Sequence, residues 1–141
     1  MSAGSPGYTF LDSNILVYAD DASSQAKQRR AMDLIREHLL NRTGTVSLQV
    51  LQEYFVAATR KCHLDPGLAR NKVQIYGTFR LVEPVLDDVL TAIQVHRLHT
   101  ISYWDALILH TAKKSGCGVV LSEDMNHGQV IDGVRIVNPF L

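Results

Sequence analysis

The stretch YTFLDSNILVYA, residues 8–19, indicates the beginning of an α/β fold. Its first part, Tyr8 to Leu11, is a short apolar run of the kind that forms a buried strand, and it ends at Asp12. The segment from Asn14 to Ala19 then continues as a short helix or turn. This order places Asp12 at the carboxyl end of a strand, which is where open α/β sheets bind their ligands.

The rest of the chain alternates between strand and helix patterns. The predicted strands are Tyr8 to Leu11, Thr45 to Ser47, Phe79 to Val82, Val119 to Leu121 and Val134 to Val137. After the short first helix, the predicted helices are Gln25 to Leu40, Leu48 to Lys61, Pro66 to Tyr76, Asp87 to His96 and Tyr103 to Lys114. This alternation favours a parallel sheet with helices on both faces. The exception is Ser122 to Gly133, a polar loop of the kind that often carries function.

The length of 141 residues suits one domain and is too short for two of ordinary size. Hydrophobic residues make up 46% of the chain and charged residues 20%, which is enough to bury a core. Fourteen acidic and fourteen basic residues cancel, so the net charge does not by itself indicate a nucleic-acid partner. We expect residues 8–141 to form a single domain and residues 1–7 a flexible tail rather than a signal peptide.

The sequence also argues against a membrane segment and a cysteine-based site. No apolar run approaches the roughly 18 residues that a membrane helix needs. Cys62 and Cys117 are the two cysteines, and neither belongs to a Cys-x-x-Cys pair, which argues against a disulfide scaffold and a cysteine zinc site. We therefore expect a cytoplasmic protein that does not bind a membrane.

Two acidic residues follow predicted strands. Asp12 follows the first strand, although an aspartate there could equally be a helix N-cap. Asp124 follows the fourth strand, where a solvated loop residue is the alternative; the adjacent Glu123 is expected to be such a solvated residue. If the strand order is 3-2-1-4-5, the first and fourth strands are neighbours, and Asp12 and Asp124 meet at the point where the strand order reverses.

Two further acids lie in apolar helices. Glu53 belongs to a helix that is apolar nearly all round, which predicts a buried carboxylate; a partly exposed residue paired with Arg60 is the alternative. Asp105 has Ile108 and Leu109 on its face of the helix, and its alternative role is in a capping box with Ser102.

Four carboxylates that share one crevice need a counter-charge. Like charges in a poorly solvated pocket repel each other, and carboxylate oxygens are the ligands that Mg²⁺ or Mn²⁺ prefers. Such ions activate water and stabilise the charge that develops on a phosphate. The residues therefore predict a metal-dependent phosphodiesterase if the fold brings the four acids together.

The chain resembles PIN-domain ribonucleases, and most closely the VapC-type toxins of toxin–antitoxin pairs. The resemblance covers nearly everything after Gly7 and is carried by FLDSNILVYA (10–19), QEYF (52–55), ISYWDALI (101–108) and VLSEDMNHG (120–128). It implies a doubly wound, five-stranded parallel sheet of order 3-2-1-4-5 with helices on both faces.

The resemblance also implies a site and a function. The catalytic, metal-binding quartet falls on Asp12, Glu53, Asp105 and Asp124, which would bind Mg²⁺ or Mn²⁺, with Asn14 and Ser102 in support. The implied activity is that of an endoribonuclease that hydrolyses RNA phosphodiester bonds with metal-activated water. The implied partners are a cognate antitoxin protein and a second copy of the chain.

The RNA contacts are less clearly marked in the sequence. His127 follows Asp124 and is a candidate substrate contact. Basic residues that could bind phosphates concentrate between the first and third strands, at Arg29, Arg30, Arg36, Arg60, Lys61, Arg70 and Lys72. The alternatives are a catalytically idle PIN-fold scaffold that binds RNA and a PIN nuclease outside toxin–antitoxin biology.

Two other families with this sheet type do not match. A haloacid-dehalogenase-like phosphatase would have Asp-x-Asp after its first strand, but Asn14 stands at the third position. A receiver module would have a lysine after its last strand, where this chain has Asn138 and Pro139.

Overall fold

The computed structural model describes residues 7–141. Its strands are β1 (Tyr8–Leu11), β2 (Gly44–Ser47), β3 (Arg80–Val82), β4 (Cys117–Leu121), β5 (Val130–Ile131) and β6 (Val134–Val137). Its helices are α1 (Ser13–Tyr18), α2 (Gln25–Asn41), α3 (Leu48–Arg60), α4 (Pro66–Tyr76), α5 (Leu86–His99) and α6 (Tyr103–Lys114). Residues 1–6 lie outside the described part, so the predicted tail and domain boundary stay predictions.

The sheet has the order β3-β2-β1-β4-β6-β5. Every neighbouring pair is parallel except β5 and β6, which are antiparallel. Because β6 is the predicted fifth strand, the predicted order 3-2-1-4-5 is confirmed. No helix among the described residues is both long and apolar enough to cross a membrane.

The sheet differs from the prediction at one edge. The predicted loop Ser122 to Gly133 contains β5, so the sheet has six strands among residues 7–141 rather than five. Asp132 and Gly133 join β5 to β6 in a tight turn with φ values of 50° and 84°. A strand of two residues is too short to produce a recognisable alternation of apolar and polar residues, so the sequence pattern missed it.

The centre of the sheet is covered on both faces. Phe10 and Leu11 are consecutive residues of β1, and both are fully buried. Because consecutive strand residues point to opposite faces, both faces of β1 must be packed. In the neighbouring strand β4, the consecutive residues Val120 and Leu121 are also both buried. This double burial is the expected consequence of a parallel sheet between helices.

Helix α3 does not match the expected all-round burial. Its residues Tyr54 and Ala58 are fully buried, but Phe55 is 37% exposed, Val56 is 46% exposed and Glu53 is also exposed. One side of α3 packs on α1 and α4, and the other side faces solvent. The expectation of a buried Glu53 is therefore wrong, because an apolar composition produces burial only where another element covers the helix.

Asp88 connects α5 to α6 through its carboxylate. It occupies the third position of α5, and its Oδ2 accepts a hydrogen bond from the N–H of Val85 at 2.8 Å. From α6, His110 Nε2 lies 2.8 Å from Oδ1, and Lys114 Nζ lies 2.9 Å from Oδ2. The hydrogen bond from Lys114, with those from Val85 and His110, holds the pKa of Asp88 well below its usual range. This contact fixes α6, the helix that carries Asp105.

Gly44 lies where β2 meets a buried ring, and we expect Gly44→Ala to be destabilising. A Cβ at this position would lie 2.5 Å from two ring carbons of Phe79, which is buried and stacks on Tyr76. We expect a loss of about 1–3 kcal/mol in the free energy of unfolding, measured by urea denaturation. Gly118→Ala in β4 is the matched control, because nothing lies within 4 Å of its added Cβ. Equal stability of the two variants would contradict this packing.

Candidate active site

Asp12 lies between β1 and α1 and is buried, with 6% of its surface exposed. Its Oδ1 accepts a hydrogen bond from the N–H of Ser13 at 2.8 Å, so Asp12 is the N-cap of α1. Its Oδ2 accepts a bond from the hydroxyl of Ser122 at 2.8 Å. The N-cap role and a role in the site therefore use different oxygens of one carboxylate.

Asn14 connects the ends of β1 and β4. Its Nδ2 lies 3.3 Å from Asp12 Oδ2 and 3.2 Å from Asp124 Oδ2, and its Oδ1 accepts a bond from the N–H of Glu123 at 3.1 Å. One side-chain amide thus contacts two carboxylates at the adjacent ends of two parallel strands, and the supporting role of Asn14 stays a prediction.

Ser122 is a site residue that the sequence reasoning missed. It is fully buried, donates to Asp12, and accepts a bond from the N–H of Asp124 at 3.2 Å. Its only signal in the sequence is its place in the segment VLSEDMNHG, directly between β4 and Asp124. Burial of a hydroxyl depends on the partner strand, so the sequence pattern alone did not indicate it.

The structure distinguishes Asp124 from its neighbour Glu123. The Glu123 carboxylate accepts a bond from Tyr18 Oη and pairs with Lys27 Nζ at 2.6 Å. Burial raises the pKa of Glu123, but the hydrogen bonds from Lys27 and Tyr18 outweigh it and bring the pKa below its usual range. Asp124 is exposed and shares Asn14 with Asp12. Asp124, not Glu123, therefore belongs with Asp12.

Glu53 and Asp105 approach this pair from two helices. Glu53 is exposed on α3, and its carboxylate has one hydrogen-bond contact among the described residues, Gln49 Nε2 at 3.5 Å. The alternative ion pair between Glu53 and Arg60 does not occur in this part of the chain. Asp105 is half-buried in the first turn of α6, where Ser102 is the N-cap and accepts a bond from the Asp105 N–H at 3.0 Å. The capping role predicted for Ser102 is present.

Two of the four acids, Asp12 and Asp105, have raised pKa values. Burial raises the pKa of Asp12 to about 6; hydrogen bonds from Ser122 and Ser13 oppose the increase, and the charges of Glu53 and Asp124 add to it. Burial also raises the pKa of Asp105, and the charge of Asp124 adds to this effect. Asp124 thus interacts electrostatically with both Asp12 and Asp105.

No ion pair neutralises these charges within residues 7–141. The ion pairs of the described chain involve none of the four acids. As the side chains stand, no three Asp, Glu, His or Cys groups in this part of the chain are close enough together to hold one ion. The donor set still fits Mg²⁺ or Mn²⁺, because it consists of unpaired carboxylates and includes the exposed, loosely held Glu53.

Two cavities adjoin the acids, and Asp124 lines both. We call the first, of about 200 Å³, the lysine cavity; it is lined by Ser13, Asn14, Val17, Tyr18, Ala57, Lys61, Glu123 and Asp124. We call the second, of about 230 Å³, the amide cavity; it is lined by Thr100, Ile101, Ser102, Asp105, Leu109, Asp124, Met125, Asn126, Gln129, Ile131 and Ile136.

The predicted RNA contacts are placed in different surroundings. Lys61 lines the lysine cavity, whereas Lys72 pairs with the buried Asp20 carboxylate and Arg30 Nε donates to the carbonyl of Pro139 at 3.3 Å. His127 accepts a bond from the Asn138 N–H at its Nδ1, at 2.9 Å, and lines neither cavity beside the acids. Contact between His127 and a substrate stays a prediction.

The family follows from a direct comparison of sequences. The sequence model of the PIN domain matches residues 9–131, which is most of the chain. The chain belongs to the PIN domain family. No curated protein matches the sequence of this PIN domain significantly.

Solved structures share the fold of this PIN domain. VapC20 of Mycobacterium tuberculosis, a toxin that cleaves the sarcin–ricin loop, is 19% identical with a TM-score of 0.68, covering 82% of this chain and 91% of its own. A chain of a toxin–antitoxin complex from Klebsiella pneumoniae is 20% identical with a TM-score of 0.68, and the match covers 93% of this chain and 97% of that chain. A chain of FitAB bound to the IR36 DNA fragment is 16% identical with a TM-score of 0.67, and the match covers 94% of this chain and 96% of that chain. At these identities the likeness establishes the fold.

The raised pKa of Asp12 predicts how stability depends on pH in the presence of a chelator. The native state binds the Asp12 proton more tightly than the unfolded chain does, so protonation of Asp12 adds to the free energy of unfolding. This contribution is greatest below about pH 4 and is lost as the pH rises through about 6. The loss is on the order of 3 kcal/mol. Asp12→Asn cannot ionise, so subtracting its pH–stability curve from that of the unmutated protein isolates this change. Curves that run parallel from pH 4 to 7 would contradict the prediction.

Proposed function

We propose that this PIN domain is a Mg²⁺- or Mn²⁺-dependent endoribonuclease and the toxin of a type II toxin–antitoxin pair. The observation that carries the proposal is the set of unpaired carboxylates, Asp12, Glu53, Asp105 and Asp124, at the carboxyl edge of the sheet. Its membership of the PIN domain family supports a nuclease. An idle RNA-binding scaffold would have no need for acids that repel each other.

The four carboxylates would hold the ion. Once bound, a divalent ion activates a water molecule and stabilises the negative charge that develops on the phosphate during hydrolysis. The other residues of the site would act by fixing the carboxylates. Asn14 and Ser122 restrain Asp12 and Asp124 through hydrogen bonds, and the Ser102 cap fixes the first turn of α6, from which Asp105 extends.

An RNA substrate would need positive charge beside the acids. Lys61 lines the lysine cavity and is exposed, and its side chain makes no hydrogen bond or ion pair within residues 7–141. Its ammonium group is therefore available to a phosphate next to the one that is cleaved. The sarcin–ricin loop activity of VapC20 supports RNA, rather than a small phosphoester, as the substrate class.

Two exposed apolar surfaces support the proposed protein partners. A groove of about 380 Å³ on α3 and α4 is lined by Leu51, Gln52, Phe55, Val56, Arg70 and Val73, and an apolar helix of an antitoxin would fit there. The Klebsiella toxin–antitoxin complex supports such a partner. Leu86, Leu90 and Ile93 are exposed along one side of α5 and would suit a homodimer interface.

Asp105→Asn tests the proposed activity directly. The substitution keeps the size of the side chain but removes a charge, so we expect the fold to persist and RNA cleavage to fall about a hundredfold or more. The assay is cleavage of total cellular RNA with Mn²⁺, with Mg²⁺ and with chelator. The matched control is Asp87→Asn, which changes an exposed aspartate on α5 away from the site.

Three outcomes can be told apart. Metal-dependent cleavage by the unmutated protein and Asp87→Asn, but not by Asp105→Asn, would support the proposal. Equal cleavage by all three proteins would contradict the assignment of Asp105. Binding of RNA without cleavage by any of them would favour the idle scaffold.

A further inference from the structure

The amide cavity lies next to the proposed reaction site. Both Asp105 and Asp124 line it, and Asp124 also lines the lysine cavity. A phosphodiester held at the four acids would therefore have one neighbouring nucleotide within reach of each cavity. The two cavities differ in chemistry, because Lys61 lines one and no lysine or arginine lines the other.

The volume and lining of the amide cavity suit one ring system. Its buried apolar residues include Leu109, Met125, Ile131 and Ile136. Its volume of about 230 Å³ equals roughly eight liquid water molecules at about 30 Å³ each, which suits one ring system rather than two stacked ones. A nucleobase has apolar faces and a polar edge, so this combination of lining residues matches its chemistry.

Two side-chain amides supply hydrogen-bonding groups to the cavity. Asn126 Nδ2 donates to Gln129 Oε1 at 3.3 Å. In the described chain, this bond leaves the amino group of Gln129 and the carbonyl oxygen of Asn126 without a protein partner. One donor and one acceptor side by side can pair with the edge of a base, as Asn and Gln side chains do in nucleic-acid recognition.

The loop that carries these amides is held in place by β6. The N–H of Gly128 donates to the carbonyl of Ile136 at 2.8 Å, and the N–H of Ile136 donates to the carbonyl of Gln129 at 2.9 Å. The bond between Asn138 and His127 adds a further attachment. Gly128 has a φ of +85°, which a residue with a side chain adopts only with strain. A loop fixed in this way loses little conformational entropy when a ligand binds.

The lining of the amide cavity favours a base over a phosphate. No lysine or arginine lines it to attract a phosphate, whereas a base is neutral and needs no counter-charge. We therefore propose that the amide cavity binds one RNA base beside the cleaved bond, and that Asn126 and Gln129 set the base preference of cleavage. This inference rests on the proposed ribonuclease function.

The test is a map of cleavage sites on a randomised single-stranded RNA with Mn²⁺. We expect the unmutated protein to prefer certain bases at one position beside the cut. The double variant Asn126→Ala/Gln129→Ala should reduce that preference about fivefold or more, while cleavage itself continues. The matched control is Gln74→Ala, which removes an exposed amide from α4 and should leave the preference unchanged. A preference that survives in the double variant would overturn the proposal.

A second readout does not depend on cleavage. RNA that contains 5-iodouracil is crosslinked to the protein in the presence of chelator, and the modified peptide is identified by mass spectrometry. Adducts within residues 122–131 would support base binding in the amide cavity, and adducts confined to other segments would overturn it. If the unmutated protein does not cleave RNA with Mn²⁺, the proposed function fails, and the crosslink alone decides whether the cavity binds a base.

Discussion

Repulsion between unpaired carboxylates is the constraint on which the rest of this structure depends. Asp12 is buried, and the charges of Glu53 and Asp124 make its ionised form still less favourable. The fold maintains this arrangement through short, specific contacts: Ser122 and the N–H of Ser13 hold Asp12, and Asn14 joins it to Asp124. These bonds restrain charges that would otherwise separate, and they leave a divalent ion as the natural counter-charge.

The strand order explains how distant residues come together. Asp12 and Asp124 are far apart in the sequence, but β1 and β4 are adjacent and parallel, so their carboxyl ends lie at one edge of the sheet. This part could be predicted, because an apolar run that ends at an acid and alternation of helices with strands are local patterns. The N-cap of α4 depends on an equally local pattern, because Asp65 directly precedes the predicted helix and accepts bonds from the N–H groups of Gly67 and Leu68.

Features that depend on long-range packing could not be predicted. The apolar sequence of α3 did not reveal that Phe55 and Val56 face solvent, because burial depends on which element covers a helix. Glu123 and Asp124 are neighbouring acids. The family resemblance selected Asp124, but the physical reason, the contact of Glu123 with Lys27 and Tyr18, is not contained in any local pattern. The amide cavity likewise forms only when the loop after β4 attaches to β6 and packs beside α6.

The most direct test of the carboxylate site is a Mn²⁺ titration followed by electron paramagnetic resonance. The unmutated protein should bind Mn²⁺, and Asp124→Asn should weaken that binding by about tenfold or more, since it loses one carboxylate of the site. Glu123→Gln, the adjacent change, should leave the affinity nearly the same, because that carboxylate already pairs with Lys27. Failure of the unmutated protein to bind Mn²⁺, or equal weakening by the two substitutions, would contradict a divalent-ion site formed by Asp12, Glu53, Asp105 and Asp124.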